Sequence, residues 1–381
     1  MHAEVAGGGI AGLAVATMLA KRGWTVRVHE RNEAIREVGA GIFLRRNTLN
    51  VLQMLGVADE IQEQGMHLSR GKYRDGVTGD TIHDREGGDG APMWISPRET
   101  VVQALERKAR DAHVEIVTNS HVIGADPSGV LTTDKGDFPA DLVVGADGVS
   151  STVRESLELT RMTRRLPSVV TRYLIPTRAM APEDHTTMWW SGSRRIGIAP
   201  CAEDLSYVYM VCPETDAIGR SIPVDVAAWS RSFPMLADRL PLLAGASPIQ
   251  NNYRIVTCHA WHKGRVALVG DAAHGLPPLL GQGAGLALSN ANALAASVGN
   301  ASDLIPQDLK IWERRFRHFS DKTQYWSMHL DRVTNKWPSP LVTLRGLYLN
   351  FLDSRPMRRR ISIADRFPIT SQDQMGSSLR G

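Results

Sequence analysis

The sequence predicts an α/β fold in which one domain, built from separated stretches of chain, receives an inserted and mainly antiparallel β-sheet domain. The chain opens with a short apolar strand, a glycine cluster and an apolar helix, which together indicate a βαβ unit. Residues 166–253 hold short runs rich in Val, Ile, Tyr and Trp between Pro, Gly and Asp, a texture typical of antiparallel strands. The apolar strand type then returns at residues 265–269.

The remaining elements follow from hydrophobic periodicity. The opening unit comprises a strand at 3–6, a helix from Ile10 to Arg22 and a strand from Trp24 to His29. Further predicted elements are a helix and strand within 95–118, a strand at 141–145 and a helix from Gly283 to Val298. The last 80 residues are predicted to be helical, with Trp312, Phe316 and Phe319 on one face.

Bulk composition favours an ordinary globular protein. The 381 residues are 43% hydrophobic and 22% charged, which allows two or three structural units with a sizeable core. The formal net charge of +4 is small, and no basic stripe with interleaved aromatic residues occurs, so nucleic acid is not an expected partner. A weak positive charge is compatible with a small anionic ligand.

The cysteines and the N-terminal segment point to a reducing compartment. Cys201, Cys212 and Cys258 are too few and too scattered for a disulfide framework or a metal site. The first residues lack the layout of a signal peptide, and no apolar run approaches the ~18 residues of a membrane span. We therefore expect a cytoplasmic protein without a membrane span or a bound metal.

The first chemistry-bearing motif is Gly7-x-Gly9-x-x-Gly12, between the first strand and the first helix. Gly7 permits a tight turn, Gly9 lets a pyrophosphate approach the backbone, and Gly12 lets helix and strand pack closely. The helix N-terminus then offers free N–H groups to the phosphates. Glu30 ends the next strand, where an acid accepts hydrogen bonds from a ribose and disfavours a 2′-phosphate, so the motif suits FAD or NAD rather than NADP.

Two further motifs follow strands. One contains Asp147-Gly148, and the other begins at Gly270-Asp271 and continues through Pro278 to Gly281-Gln282-Gly283. A carboxylate at a strand end can accept a hydrogen bond from a sugar hydroxyl, and glycines that open a helix bring N–H groups to a ring or a phosphate. Each motif alone could simply form the turn that follows a strand. The three motifs in this order, however, are a highly specific combination.

The ordered set GxGxxG, DG and GD resembles the class A flavoprotein monooxygenases, the para-hydroxybenzoate and salicylate hydroxylase group, over about residues 3–330. The resemblance implies a Rossmann-like FAD-binding domain, noncovalent FAD, and NAD(P)H and O₂ as cosubstrates. It implies that Asp271 holds the ribityl chain, that Asp147 and Gly148 serve FAD and the transient NAD(P)H, and that Arg98 contacts FAD. The complete implied cofactor set is Gly7, Gly9, Gly12, Glu30, Arg31, Arg98, Asp147, Gly148, Asp271, Gly281, Gln282, Gly283 and Ala284.

Within that group, several stretches resemble the 2-methyl-3-hydroxypyridine-5-carboxylate oxygenases. These stretches are residues 3–9, Gly39 to Ile42, Arg195-Ile196 with Pro200-Cys201, and 264–269. The resemblance implies a substrate site of Tyr73, Arg172, Arg195, Tyr207 and Tyr253, with Tyr207, Arg195 and Pro278 nearest to the chemistry. Arginines clamp a carboxylate bidentately, and tyrosines offer a flat apolar wall and one hydroxyl.

The sequence departs from these oxygenases at Arg45-Arg46, where they have an aromatic residue and a histidine. Arg46 is therefore either a further substrate contact or a solvated or pyrophosphate-binding arginine. The spacing also predicts that Arg195 and Tyr207 share one sheet face across a turn at residues 200–204. The alternative pairs Arg195 with Glu203 or Asp204. His274 and Trp189-Trp190 are interpreted mainly as packing, and Arg358-Arg359-Arg360 as a solvated helix face.

The implied function is hydroxylation of a small anionic hydroxypyridine carboxylate through a flavin C4a-hydroperoxide, with or without ring opening. Two alternatives stay open: a hydroxylase of phenolic substrates of the salicylate or hydroxybenzoate type, and a flavin-binding sensor without turnover. The sequence leaves open the choice of NADH or NADPH and the oligomeric state. It predicts an FAD-binding domain at 1–70, 95–165 and 254–330, a substrate-binding β domain at 71–94 and 166–253, and a helical C-terminal segment at 331–381.

Overall fold

The structure is a computed structural model that describes residues 1–36, 40–86, 93–181, 183–299, 301–335 and 342–369. Gly39, one of the residues that carried the resemblance, lies outside the described residues, as do residues 336–341 and 370–381 of the predicted C-terminal segment.

The described residues form strands β1 to β19 and helices α1 to α11. The strands are β1 His2–Ala6, β2 Thr25–His29, β3 Gly41–Leu44, β4 Met66–His67, β5 Arg70–Asp75, β6 Thr81–Glu86, β7 Trp94–Pro97, β8 Glu115–Val117, β9 Val122–Asp126, β10 Val130–Thr133, β11 Gly136–Pro139, β12 Leu142–Gly145, β13 Thr160–Ile175, β14 Thr186–Ser191, β15 Arg194–Ala202, β16 Leu205–Pro213, β17 Ile249–Cys258, β18 His262–Lys263 and β19 Val266–Leu268. The helices are α1 Ile10–Ala20, α2 Arg46–Leu55, α3 Ala58–Glu63, α4 Arg98–Asp111, α5 Thr152–Ser156, α6 Val226–Ser232, α7 Asp271–His274, α8 Gly283–Ser297, α9 Ile305–Asn335, α10 Val342–Leu352 and α11 Arg355–Ile361.

A six-stranded sheet in the order β18-β19-β12-β1-β2-β8 joins the apolar strands that the sequence predicted. Every neighbouring pair is parallel except β18 with β19. The strands β1, β12 and β19 are almost completely buried, as expected for parallel strands covered on both faces. Helices α1, α4 and α8 supply much of that cover. The predicted first helix ends at Ala20 instead of Arg22, because the chain turns at Lys21–Gly23.

A seven-stranded sheet in the order β17-β13-β16-β15-β14-β5-β6 forms the second layer. All neighbours are antiparallel except β14 with β5. The predicted fold class, α/β with a mainly antiparallel sheet and a helical C-terminus, is thereby confirmed. Strands β13 and β17 run across the predicted boundaries at 165/166 and 253/254, so the division into domains stays a proposal.

The two faces of this sheet have different surroundings. Trp189 and Trp190 are consecutive in β14 and therefore point to opposite faces. Trp189 belongs to a core cluster with Trp229, Phe233 and other buried residues. Trp190 faces the cavity described below. Two three-stranded sheets, β11-β10-β9 and β3-β7-β4, complete the described sheet structure.

The C-terminal helices pack back onto both layers. In α9, Trp312 and Phe316 are fully buried and Phe319 is partly buried, which agrees with the predicted apolar face. Further along, Arg345 of α10 lies over the Trp190 ring at 4.2 Å from the centroid. Among the described residues, none of the helices combines the length and the apolar composition needed to cross a membrane.

Candidate active site

A cavity of about 940 Å³ lies between the two large sheets. Its volume is at the upper end of the ~300–1,000 Å³ common for small-molecule sites. The predicted site residues that line it are Gly9, Arg46, Tyr73, Arg98, Gly148, Arg172, Arg195, Tyr207, Tyr253, Asp271, Pro278, Gly281, Gly283 and Ala284. Those that do not line it are Gly7, Gly12, Glu30, Arg31, Asp147 and Gln282.

The glycine motif shapes one end of the cavity. Gly7 has a φ of +100°, and a Cβ at Gly12 would lie 1.9 Å from the Gly7 carbonyl oxygen, so neither position tolerates a side chain. Gly9 is the residue before α1 and provides no side-chain cap. The first turn of α1 therefore has backbone N–H groups available, and Gly9, Ile10 and Ala11 line the cavity.

Two of the predicted cofactor-binding acids, Glu30 and Asp147, already have backbone partners. Glu30 accepts hydrogen bonds from the backbone N–H of Gly8 at 3.0 Å and of Asn32 at 3.0 Å, and it thereby braces the glycine turn. One oxygen of Asp147 caps α5 by accepting from the N–H of Thr152 at 2.8 Å, whereas its Oδ1 is buried without a hydrogen-bond partner. Arg31 is exposed and outside the cavity lining.

Three more helix starts border the cavity. Asp271 is the first residue of α7 and lines the cavity after Gly270, whose φ is +63°. Gly283 and Ala284 open α8 and line the same wall, and Pro278 lies nearby in a 3₁₀ turn. Arg98 opens α4 and also lines the cavity.

Asp365, close to the end of the described chain, joins the start of α8 to the start of α2. Its carboxylate accepts from Nη2 of Arg45 at 3.3 Å and from Nε2 of Gln282 at 2.8 Å. Arg45 precedes α2 and Gln282 precedes α8. The carboxylate therefore fixes the relative position of the loops that begin both helices. The sequence offered no signal for this contact, since the partners are 320 and 83 residues away.

The register of the seven-stranded sheet decides which side chains face the cavity. Arg195 lies opposite Val211, and Ala199 lies opposite Tyr207. Because side chains alternate along a strand, Arg195, Tyr207 and Tyr209 share one face. The same alternation brings these residues of the sheet to the cavity: Gly71, Tyr73, Thr186, Met188, Trp190, Arg195, Tyr207, Tyr209, Val211, Arg172, Ile249, Asn251 and Tyr253.

The connection between Arg195 and Tyr207 differs from the prediction. Strand β15 starts at Arg194 and continues to Ala202, so Glu203 and Asp204 alone form the turn, where the sequence predicted residues 200–204. The predicted sharing of a face holds all the same, because the register shift lies between Pro200 and Ala202, and the pairs from Arg195 to Pro200 follow one register.

Arg195 is anchored by the end of α9. Its Nη1 donates to Thr334 Oγ1 at 2.7 Å and its Nη2 donates to Asn335 Oδ1 at 2.8 Å. Asn335 in turn donates to Asp331 Oδ1 at 2.8 Å, which links the buried cation to a carboxylate through one amide. Burial lowers the pKa of Arg195, and the charge of Asp331 opposes this shift. The alternative pairing of Arg195 with Glu203 or Asp204 is wrong.

Arg172 forms a polar cluster with two tyrosines. Its Nη1 donates to Asn251 Oδ1 at 2.9 Å, and its guanidinium carbon lies 5.6 Å from the ring centroid of Tyr253. Burial raises the pKa of the Tyr207 hydroxyl well above its usual range, while the neighbouring Arg172 cation opposes the rise. Burial also raises the pKa of Tyr253. Both phenols are therefore protonated donors at neutral pH.

His274 does not reach the cavity lining. It is 1% exposed, its ring lies 5.3 Å from that of Trp261, and its Nε2 lies 3.1 Å from Nδ2 of Asn290. Burial lowers its pKa to about 4, so the imidazole is neutral at physiological pH. These contacts agree with the packing interpretation.

Several known proteins resemble this chain over most of its length. The sequence profile of a family described as FAD binding domain matches residues 2–301. A protein of Rhodococcus erythropolis, proposed to be a 2-heptyl-3-hydroxy-4(1H)-quinolone synthase, is 39% identical over 88% of this chain and 89% of its own length. The 2-heptyl-3-hydroxy-4(1H)-quinolone synthase of Mycobacteroides abscessus is 36% identical over 92% of this chain and 94% of its own length.

The tetrameric form of 2-methyl-3-hydroxypyridine-5-carboxylic acid oxygenase is a similar solved structure. It matches with a TM-score of 0.82 and 33% identity, over 91% of this chain and 97% of that chain. The chain belongs to the class A FAD-dependent aromatic monooxygenases. The predicted family, the FAD cofactor, the NAD(P)H and O₂ cosubstrates and the enzymatic nature are thereby confirmed, and the sensor alternative loses its basis.

The residues of this monooxygenase fit an FAD molecule. The glycine turn leaves room where a Cβ would collide, the starts of α1 and α8 bring N–H groups to the cavity, and Asp271 offers a carboxylate at the wall. The unpartnered Oδ1 of Asp147 and Oε1 of Gln282 are buried acceptors next to these segments. The individual cofactor contacts stay predictions.

Sequence reasoning missed several cavity residues of this monooxygenase. Tyr209 was detectable, because it lies two residues beyond Tyr207 in a strand and must share its face. Gly197 makes space for it, since a Cβ there would lie 2.0 Å from Cζ of Tyr209. Thr334 and Leu349 line the cavity from the C-terminal helices, and no local pattern indicated that these helices reach the site.

Proposed function

We propose that the protein hydroxylates an N-heteroaromatic ring of the 4-quinolone type. The hydroxyl group would be added to the ring carbon adjacent to the carbon that carries the oxo group. The observation that carries the proposal is the cavity face of the seven-stranded sheet. On that face, aromatic and aliphatic side chains surround a polar cluster of Arg172, Tyr207 and Tyr253, while Arg195 on the same face is anchored to α9. A fused bicyclic ring with one oxo group and an apolar substituent matches this distribution of polarity.

The polar cluster is the part of the protein that would make the ring more reactive. Arg172 and the protonated hydroxyls of Tyr207 and Tyr253 would donate to the ring oxygen and hold negative charge on it. Charge on that oxygen raises the electron density of the neighbouring ring carbon, which favours attack on an electrophilic oxygen. When FAD is bound, its reduction by NAD(P)H and its reaction with O₂ supply that oxygen atom.

The apolar wall supplies affinity and excludes water. Met188, Trp190 and Ile249 of the sheet, together with Leu330 and Leu349 of the C-terminal helices, line the same cavity. Each CH₂ group of an alkyl substituent buried there contributes about 0.8 kcal/mol. Two relatives with more than a third of their residues identical have names that specify a 3-hydroxy-4-quinolone with a heptyl chain. A monooxygenase makes that product by adding a hydroxyl group at carbon 3.

The hydroxypyridine carboxylate that the resemblance implied remains the second candidate. It is favoured by the similarity to the pyridine-carboxylate oxygenase and by the position of Arg172 in the cavity. Against it, each terminal nitrogen of Arg195 already donates one hydrogen bond to α9, so a carboxylate there would have to use the unpartnered Nε and the second hydrogens of these nitrogens. Salicylate-type phenols carry the same carboxylate requirement.

The test is a substrate panel with the purified holoenzyme. The protein would be mixed with NADH or NADPH, isotopically labelled O₂, and either 2-heptyl-4(1H)-quinolone, a hydroxypyridine carboxylate or salicylate. We expect the quinolone to stimulate NAD(P)H oxidation most and to gain one labelled oxygen at carbon 3. Coupled turnover of the hydroxypyridine carboxylate, with no quinolone product, would refute the proposal and establish the second candidate.

A further inference from the structure

Helix α10 is apolar on two opposite faces. Its inner face contributes Leu349 to the cavity lining and Leu352 to the buried core. On the outer side, Leu344, Leu347 and Phe351 are 47%, 66% and 57% exposed. Their spacing of three and four residues places them in one stripe along the helix. A helix that only covered the cavity would expose polar residues on this stripe.

The exposed stripe continues onto α9 through a row of aromatic rings. The Tyr348 ring lies 6.4 Å from Phe351 and 6.2 Å from His329, and His329 lies 6.4 Å from Tyr325. Tyr325 is itself 58% exposed. We call Tyr325, Leu344, Leu347 and Phe351 the α10 face. A contiguous patch of exposed apolar side chains usually marks a surface that binds a protein, a ligand or a membrane.

A basic helix follows this face directly. Helix α11 starts four residues after Phe351, and residues 355–360 contain four arginines and no acid. Arg358 pairs with Asp353, whereas Arg355, Arg359 and Arg360 are exposed. Apolar side chains, an interfacial tyrosine and adjacent cations are the combination by which a peripheral helix rests in an anionic lipid interface.

We propose that the α10 face and the arginines of α11 dock the protein on an anionic lipid surface. A second copy of the chain fits this face less well, because a two-fold interface pairs one patch with itself, and the α10 face and residues 355–360 contain no acid to neutralise the arginines. Lipid phosphates neutralise the same arginines. On the proposed function, docking would also place α10 between the bilayer and the cavity, on the route of an apolar substrate that dissolves in lipid.

The test is co-sedimentation of the FAD-loaded enzyme, without substrate, with vesicles. Wild type is expected to sediment with mixed phosphatidylcholine and phosphatidylglycerol vesicles, and at least about 10-fold less with phosphatidylcholine alone or at high salt. The double substitution Leu347→Ser with Phe351→Ser, and separately Arg359→Gln with Arg360→Gln, should each weaken sedimentation by a similar factor. FAD content and the thermal unfolding midpoint of these variants report on folding.

Matched controls separate this face from general surface effects. Val77 and Ile123 are 54% and 56% exposed elsewhere, and Arg314 and Arg315 are an exposed pair on α9. Val77→Ser with Ile123→Ser, and Arg314→Gln with Arg315→Gln, should sediment like wild type. The proposal is overturned if wild type ignores anionic vesicles, or if the control pairs lose as much binding. It is also overturned if Leu347→Ser with Phe351→Ser only turns a dimer into a monomer. Because no substrate is present, failure here leaves the proposed reaction untouched.

Discussion

At the scale of single residues, the Tyr207 hydroxyl is the group whose protonation matters most to the proposed chemistry. Burial keeps it protonated through neutral pH, so it donates a hydrogen bond instead of carrying charge. Tyr207→Phe keeps the ring, including its contact with Gly41, and removes the donor. We expect turnover to fall about 10-fold or more and substrate affinity to fall less, because the lost bond stabilises developing charge.

Stopped-flow oxidation of NAD(P)H, together with assays of product and H₂O₂, measures the Tyr207 effect. Tyr209→Phe is the matched control, since Tyr209 lies on the same face with its ring centroid 5.5 Å from that of Tyr207. Equal losses in the two variants would contradict a specific role for Tyr207.

His274 makes stability depend on pH. Its folded pKa is about 4 against an ordinary value of 6.5, so the unfolded chain binds the proton more readily. This contribution to stability is fully present above about pH 6.5 and is lost as the pH falls towards 4, up to roughly 3 kcal/mol. In His274→Gln, the unfolding free energy measured in urea should fall less between pH 7 and pH 5 than in wild type. Parallel pH profiles of the two proteins would contradict this assignment.

Residue types in ordered motifs were sufficient to predict the cofactor and the family. The roles of Gly7 and Gly12 were predictable because the backbone geometry at these two positions requires glycine. Arg195 shows the limit of such reasoning. A sheet arginine near tyrosines indicates a clamp, but its partners Thr334 and Asn335 lie 139 and 140 residues away and leave no local signal.

At the scale of elements, strand alternation predicted correctly that Arg195 and Tyr207 face the same side. What alternation cannot predict is the element that packs over that side. The end of α9 contacts Arg195 through Thr334 and Asn335. Arg195 therefore has two possible roles that experiments can separate: it binds the substrate, or it anchors the helix.

Two substitutions distinguish these roles. Thr334→Val leaves one buried guanidinium nitrogen without its acceptor, at a cost of about 1–3 kcal/mol. If Arg195 anchors α9, as its hydrogen bonds favour, Arg195→Ala and Thr334→Val should both lower the unfolding free energy, with few-fold effects on substrate affinity. A 10-fold or greater rise in the substrate dissociation constant in Arg195→Ala alone, at normal stability, would instead support the clamp. Urea unfolding and equilibrium binding measure both quantities.

At the scale of the whole molecule, the cavity wall is assembled from distant parts of the chain, from Gly9 to Leu349. A ligand that contacts several such segments binds the folded protein and not the unfolded chain, so it stabilises the folded state. Removal of FAD should therefore lower the midpoint of thermal unfolding, and added FAD should restore it with concentration, by about 2.7 kcal/mol at 100 times its dissociation constant. A midpoint that does not respond to FAD would mean that FAD does not bind the folded protein in preference to the unfolded chain, and would contradict the assigned cofactor site.

The C-terminal helices show why the whole assembly was harder to predict than its parts. Periodicity indicated helices after residue 300 and an apolar face with Trp312 and Phe316. It did not indicate that Arg345 would stack on Trp190, because that contact depends on the completed sheet.

The bridge formed by Asp365 has a consequence for the order of events during synthesis. The glycine turn that begins the cofactor site leaves the ribosome about 350 residues before Asp365 arrives. At ~5–20 residues per second, that interval is on the order of 20 seconds or more. During it, the loop before α2 lacks the carboxylate that holds Arg45, and the loop before α8 lacks it from the synthesis of Gln282 onwards, over the last 83 residues. A nascent chain can thus close its parallel sheet early, whereas the pocket for the flavin reaches its final shape only after translation has passed this aspartate.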